Sequence, residues 1–359
     1  MNKYDDFHSS DVELLGLIDN KKYCTQLTPE EEETIPYLSF PLLKTCNFAC
    51  VYCGEAGEAT ASNLDEISLT KIKELVGAAT KLGVKKFRIT GGEPFLHNDI
   101  ASILRYLDGV GCYSHVNTNG SLVIEHKDLI EQLNNSSLNF VISLDTLKPE
   151  RFLKIARPRD ARFTLENTLA GIELLSSLGL LCRINMVVTS LNIDEVFDMI
   201  KFCSDHKCLL KLLDLVSVPV PFGKRLDYYV DLTELETALR EKCEGVVSHS
   251  YSKRYGVPCV RYKYGNTLVT LKNGIKGTHF DKEGICKGCT YYPCHEGLYD
   301  MFAYPDGKIC PCRWNDTQHS DDPEKQLAYI IEGFHRANFT DEVNSVHSDM
   351  PTRWELLRE

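Results

Sequence analysis

The chain is short of positive charge. Its 359 residues carry 51 Asp and Glu against 40 Lys and Arg, a formal net charge of −11, with a pI near 5.5. Sequence-independent nucleic-acid binding needs many phosphate-neutralising cations, so no nucleic-acid partner is expected. A single small anionic ligand held by a few arginines stays open. No basic-then-apolar leader opens the chain, since Met1-Asn-Lys-Tyr-Asp-Asp is polar. No uninterrupted apolar run approaches bilayer length, so no membrane partner and a cytoplasmic location are expected. There is no internal repeat and no low-complexity tract.

What remains is ordinary globular composition, 43% hydrophobic and 25% charged, in a chain long enough for one large α/β domain and a smaller one. The cysteines are the exception. There are fifteen, and without a secretion signal they should be thiols or metal ligands, not disulfides. Cys46, Cys50 and Cys53 form one group; Cys286, Cys289, Cys294, Cys310 and Cys312 form another. Cys24, Cys112, Cys182, Cys203, Cys208, Cys243 and Cys259 are scattered and read as small buried residues.

Cys46-Asn-Phe-Ala-Cys50-Val-Tyr-Cys53 is a CxxxCxxC run. Such a loop can wrap three corners of a cubane [4Fe–4S] cluster and leave the fourth iron without a protein ligand, free to bind and reduce something. Taken alone, the spacing suits a zinc loop equally well.

Apolar, β-rich runs alternate with helix-period segments between residues 36 and 220. The expected strands are Tyr37–Lys44, Lys86–Thr90, Ser114–Thr118, Asn139–Asp145, Cys182–Val188 and Leu209–Val218. Between them, Leu69–Leu82, Asp99–Leu107, Leu165–Leu178 and Ile193–His206 place apolar residues at three- and four-residue intervals. Ser68 and Asn98 are candidate N-caps. Six βα units predict a parallel sheet with helices outside and chemistry at the C-terminal strand ends, where the Cys46–Cys53 loop falls. Beyond Pro219-Val-Pro221 the pattern breaks into an acidic helix, Leu232–Lys242, and short strand-like pieces such as Thr267–Leu271.

Gly91-Gly92-Glu93-Pro94 directly follows the second strand. Two glycines at a strand end allow close backbone approach to a ligand, and Glu93 offers a carboxylate for an ammonium group. Together with the cysteine triad, this order of motifs resembles the radical S-adenosylmethionine (SAM) enzymes. Tyr52 supplies the aromatic expected inside their cysteine motif. The resemblance implies a partial (β/α)6 TIM-like barrel. It also implies SAM chelated to the open iron and reductive cleavage of SAM to a 5′-deoxyadenosyl radical that abstracts hydrogen from substrate. An external electron donor such as flavodoxin or ferredoxin goes with that chemistry.

Further segments run in the order found in the GTP 3′,8-cyclase family: Lys85–Pro94, Asn117-Thr-Asn-Gly120, Val141–Phe152 and Arg183–Val188. By that resemblance Tyr52, Gly91, Gly92, Glu93, Pro94, Ser143 and Val216 would bind SAM. Arg88, Asn117 and Arg183 would face substrate. A second, auxiliary [4Fe–4S] cluster is implied on Cys286, Cys289 and Cys312, the last placed by the turn Asp306-Gly-Lys308. Cys294 and Cys310 are additional, and one of them can be a fourth ligand; a structural zinc site is the alternative.

The chain also departs from the cyclases. Ser39, Tyr291 and Pro293 stand where the cyclases carry arginines, and Arg183 replaces a lysine. The cyclases' C-terminal Gly-Gly is absent from the closing Glu355-Leu-Leu-Arg-Glu359. Losing three guanidiniums removes bidentate phosphate contacts that neutral groups do not replace. The expectation is a small-metabolite substrate undergoing oxidation, epimerisation or cyclisation, with GTP cyclisation and peptide modification as alternatives. Few residues precede the barrel, which disfavours a separate peptide-leader domain. The arginines of Arg157-Pro-Arg159-Asp-Ala-Arg162 are expected to be solvated, His97 to be a satisfied loop histidine, and the aromatics between Tyr291 and Tyr304 to be packing. The expected organisation is an extension over 1–36, the barrel over 37–220, an auxiliary-cluster domain over 221–330 and a charged tail over 331–359.

Overall fold

The computed structural model describes residues 35–53, 65–133, 138–215, 228–249, 255–256, 259–294 and 296–340. Val216, Cys24, nearly all of the expected extension and the end of the tail lie outside the described residues. The strands are β1 (Tyr37–Pro41), β2 (Lys86–Thr90), β3 (Tyr113–Thr118), β4 (Leu138–Ser143), β5 (Leu181–Val187), β6 (Leu209–Leu213), β7 (Gly245–His249), β8 (Cys259–Tyr264), β9 (Thr267–Lys272), β10 (Thr278–Phe280), β11 (Asp300–Ala303), β12 (Ile309–Cys310) and β13 (Asn338–Thr340). The helices are α1 (Leu69–Lys81), α2 (Ile100–Val110), α3 (Lys127–Ile130), α4 (Pro149–Ile155), α5 (Leu165–Ser177), α6 (Val196–Asp205), α7 (Thr233–Lys242) and α8 (Pro323–Arg336).

The first six strands lie side by side in sequence order and all parallel, as six successive βα units require. Helices do not close this sheet into a ring. Instead β9 adds parallel to β6, with β8 and β7 antiparallel beyond it, while β11 adds parallel to β1 and β12 follows antiparallel. The result is an 11-stranded open sheet built on a partial barrel. The sheet therefore crosses the boundary expected at residue 220, drawing on both flanks from the cysteine-rich C-terminal part.

Parallel strands covered on both faces normally read as continuous apolar runs. These alternate instead. Leu38, Phe40, Phe87, Ile89, Val116, Phe140 and Ile142 point to the helices and are fully buried. On the other face, register aligns Ser39, Arg88, His115 and Asn139 in one row across β1 to β4. A period of two with charge on the inward face marks a chamber, not a second greasy layer.

The local signals account for the helix ends with small shifts. Ser68 caps α1, its hydroxyl accepting from Lys71 N at 3.2 Å, and Ile72, Leu75, Val76 and Ala79 form the buried stripe. Asn98 is not the cap of α2: Asp99 occupies that position, and the helix runs on to Val110 before Gly111 takes a left-handed φ of 72°. Thr164 and Asn167 close a capping box at the start of α5. The segment expected as one helix from Ile193 begins as a 3-10 turn over Ile193–Glu195 before α6. No helix among the described residues is long and apolar enough to cross a membrane.

Phe140, fully buried and stacked on Phe95 at 6.3 Å between ring centres, gives a direct check of this packing. Phe140→Ala is expected to cost about 3–5 kcal/mol through lost burial and a residual cavity, read as a fall in denaturant midpoint at constant slope. A loss below about 1 kcal/mol would show that β4 is not packed against the helices as described.

Candidate active site at the strand ends

The Cys46–Cys53 loop leaves β1 at its C-terminal end and is strapped down along its length. Ala49 N donates to the Ala156 and Arg157 carbonyls at 3.1 Å, Val51 N to Ile155 O at 2.9 Å, and Arg159 N returns to Asn47 O at 2.9 Å. Phe48 packs edge-on against Phe152 at 5.5 Å. Asn47 is the loop's polar anchor: its amide donates to Ser121 Oγ at 2.9 Å and its carbonyl accepts from the Asn119 amide at 2.8 Å.

The Gly-Gly turn comes next to it. A Cβ on Gly92 would stand 2.0 Å from Thr45 O, and one on Gly91, at φ +132°, would stand 2.8 Å from Leu43 O. The glycines thus serve backbone against backbone: Gly92 N donates to Leu43 O at 2.7 Å and Glu93 N to Thr45 O at 2.9 Å. Residue 45 immediately precedes the first cysteine, so the turn fixes where the cysteine loop begins. Glu93 itself points inward. Its carboxylate accepts from Thr118 Oγ1 at 2.7 Å, Asn119 N at 2.9 Å and Phe95 N at 3.1 Å. Burial, against those three donors, pushes it up to about 7. A carboxylate has about four acceptor positions, so one remains beyond these three bonds.

A fourth strand end contributes Asp145. Tyr52 OH donates to Asp145 Oδ2 at 2.6 Å, and Val187 N to its other oxygen at 2.8 Å. Burial raises Asp145 to about 6. Burial, then the Asp145 charge, also pushes the Cys50 thiol and the Tyr52 phenol well upward. Cys46 rises to about 12 through burial and the nearby Glu93 carboxylate. Free thiols here hold their protons, which metal binding must release. Ser143, at the end of β4, is exposed and available.

In the second group, the turn Cys289 N to Cys286 O, 3.2 Å, holds the first pair. Asn315, just past Cys312, donates to Ile285 O at 2.7 Å. Arg313 pairs with buried Glu296 at 3.1 Å and donates to Tyr299 OH at 2.7 Å. Burial raises Cys286 to about 12 and Cys294 to about 11, with neighbouring thiols adding to both; Cys312 goes well upward by burial, and Cys294 and Cys286 add to it.

The sequence profile of the Radical SAM superfamily matches residues 40–203. A probable GTP 3′,8-cyclase of Methanothermobacter marburgensis is 30% identical over 293 residues, covering 80% of this chain and 87% of that protein. The chain belongs to the radical SAM superfamily. The GTP 3′,8-cyclase of Helicobacter pylori is 29% identical over 289 residues, covering 77% of this chain and 80% of its own. Among solved structures, Streptococcus suis SuiB bound to S-adenosylmethionine superposes with a TM-score of 0.55 at 17% identity, over 78% of this chain and 60% of that one. The anSMEcpe structure with AdoMet and a Cp18Cys peptide gives 0.53 at 16%, over 83% and 81%. These structures share the fold, and the chain spans 60% of the length of SuiB.

For a radical SAM enzyme, the donor set at the first loop fits the cluster: three sulfurs, all soft. Among the described residues no three Cys, His, Asp or Glu are gathered closely enough to hold one ion. Cubane thiolates each bind a separate iron and stand farther apart than ligands of a single ion. The structure brings Tyr52, Gly91, Gly92, Glu93 and Pro94 together with the cysteine loop. Asn117 faces the chamber with its Oδ1 buried and without a hydrogen-bond partner. Arg88 and Arg183 lie deeper, the latter donating to Asn185 at 2.9 Å. Asn47, Asn119 and Asp145 lie inside the sequence motifs but carry no assigned role there, and Asp300 lies outside every motif. His97 is buried and satisfied, with Ile67 O at 2.7 Å, and the loop arginines 157, 159 and 162 are exposed.

Glu93 gives a pH test. A carboxyl whose folded value lies near 7, above its ordinary 4.5, favours folding while protonated and loses that contribution as pH rises through the interval. The wild-type apoprotein is therefore expected to lose stability relative to Glu93→Gln between pH about 4.5 and 7, with a constant difference above. A difference between the two that does not change with pH across this interval would show that Glu93 is not desolvated as described.

Proposed function

We propose that the enzyme binds SAM at a [4Fe–4S] cluster on Cys46, Cys50 and Cys53 and abstracts hydrogen from a small metabolite other than GTP. When bound, the cluster with SAM supplies a 5′-deoxyadenosyl radical at the strand ends, driven by an electron from an external donor such as flavodoxin or ferredoxin. The chain's own residues do the rest. Asp145 anchors Tyr52, and with it the end of the cysteine loop. The Gly-Gly turn and Glu93 set the neighbouring wall, with Pro94 opening the next turn and Ser143 exposed opposite for SAM. Asn117 presents an unpaired acceptor to substrate. A second [4Fe–4S] cluster on the C-terminal cysteines completes the reading.

The observation carrying the substrate claim is the state of Arg88. It forms an ion pair with Asp300, which also accepts from Ser39 Oγ at 2.8 Å. Ser39 is the position where the resemblance places a phosphate-binding arginine. Burial would raise Glu296, but Arg313 and Lys272 outweigh it and, with Arg88, hold it below the usual carboxylate range. Arg88 thus has the buried Asp300 carboxylate as its partner, and its charge is countered inside the protein. Burial first, then Arg183, Arg88 and Lys211, hold the buried His115 imidazole well below its ordinary value. That chamber suits one anionic group better than a triphosphate.

The GTP cyclase reading is favoured by the relatives' names and their identity of about 30%. Anaerobic incubation of reconstituted enzyme with SAM and dithionite, with and without GTP, separates the two. We expect 5′-deoxyadenosine at a slow rate indifferent to GTP, and none from Cys50→Ala. A GTP-dependent rise with a cyclised nucleotide in the mass spectrum would make this a cyclase.

A further inference from the structure

We propose that the second cluster is ligated by four thiolates, with Cys294 as the fourth, and that Cys310 is a packing residue. The inference rests on the two-cluster reading above and concerns which sulfurs complete it. Cys310 and Cys312 are two residues apart on one short strand and its exit, so sequence spacing does not separate them. The folded surroundings do.

Cys310 belongs to β12, where it pairs in register with Phe302 of β11. It is 1% exposed and packs with Phe302 and Tyr304 in a small apolar cluster apart from the main core. Its sulfur receives the Gln318 amide at 3.7 Å, and besides burial the groups acting on it first are Asp316 and Asp306. This is a satisfied thiol among aromatics, the ordinary setting of a structural cysteine.

Cys294 is placed differently. The salt bridge between Glu296 and Arg313, at 3.1 Å, ties the segment two residues after Cys294 to the residue directly after Cys312. Arg313 also lies over the rings of Tyr299 and Phe302 and donates to Tyr299 OH, so the clamp is held from three sides. On the other flank Asn315 ties the Cys312 segment to Ile285, next to Cys286. Three chain segments are therefore pinned together, and each brings one or two of Cys286, Cys289, Cys294 and Cys312. The Cys294 sulfur accepts the Gly297 N–H at 3.4 Å, a donor that stabilises a thiolate. Four protein thiolates leave no iron of this cluster open to substrate, so the cluster would hold an electron without holding the metabolite.

The test uses the full chain with Cys46, Cys50 and Cys53 changed to alanine, so that only the second cluster remains. After reconstitution this parent is expected to carry about four irons per chain, with an EPR spectrum of the reduced cluster that cyanide does not shift. Cys294→Ala in that background should lose at least half of the iron or become responsive to cyanide, whereas Cys310→Ala should match the parent. Circular dichroism of each variant controls for folding, and the cyanide titrations of the parent and of Cys310→Ala decide the question even if Cys294→Ala fails to fold: both indifferent leaves Cys294 as the fourth ligand. The assignment falls if the parent itself responds to cyanide, or if Cys310→Ala opens the cluster while Cys294→Ala does not. A parent that binds only zinc or no metal refutes the second cluster, and this assignment with it, while leaving the first cluster untouched.

Discussion

The approach of Gly92 to Thr45 is the contact on which the site depends. Backbone meets backbone where a single added carbon would lie 2.0 Å from a carbonyl oxygen, so no other residue type can occupy position 92 without moving the segment that leads into Cys46. Through Glu93 the same turn reaches Thr118 and Asn119, and through Asn119 it reaches Asn47 inside the cysteine loop. The loops after β1, β2 and β3 are one hydrogen-bonded unit. The end of β4 joins through Asp145 and Tyr52. Buried polar networks of this kind are valuable only when complete, because a half-satisfied buried group costs more than an apolar one. Here each member has its partner, and the cysteines are presented before any metal arrives.

Electrostatics divides the molecule in a second way. The outer face of the parallel sheet is apolar and packs the helices, while its inner face carries Ser39, Arg88, His115 and Asn139 in one register row. Charges so placed are expensive unless paired. The pairing of Arg88 comes from Asp300 at the start of β11, while Glu296 just before it pairs with Arg313; both carboxylates are buried. The C-terminal part of the chain completes the sheet beside β1, and its Asp300 neutralises Arg88 in the chamber. Its Glu296 clamps Arg313 next to Cys312.

Much of this was legible along the chain. β2 falls on Lys86–Thr90 as expected, β1, β3, β4 and β5 shift by one to three residues at their ends, and β6 stops at Leu213, with 216–218 of the expected strand outside the described residues. Short β-rich runs mark the strands even where their faces alternate. Ser68 was legible as a cap, since a serine before a periodic run has a local meaning. What was not legible is non-local. Nothing near Arg88 names Asp300 as its partner, and nothing near Tyr52 points to Asp145. The parallel insertion of Thr267–Lys272 beside β6 looks locally like any short strand. Asn98 and Asp99 are both good capping residues; the N-cap position falls on Asp99, whose side chain makes no capping hydrogen bond, while Asn98 donates to Glu66. Two glycines at a strand end signal close approach, and nothing local shows that the backbone of Leu43 and Thr45 is one of the things approached.

The central claim is that the Cys46–Cys53 loop presents a cluster with one iron left for SAM. The most direct measurement is EPR of the dithionite-reduced, reconstituted wild-type enzyme before and after SAM is added, with iron and sulfide counted on the same sample. The account predicts two reduced-cluster signals, one shifted by SAM and one indifferent to it. A spectrum that SAM leaves unchanged, on protein carrying its full iron, would contradict it.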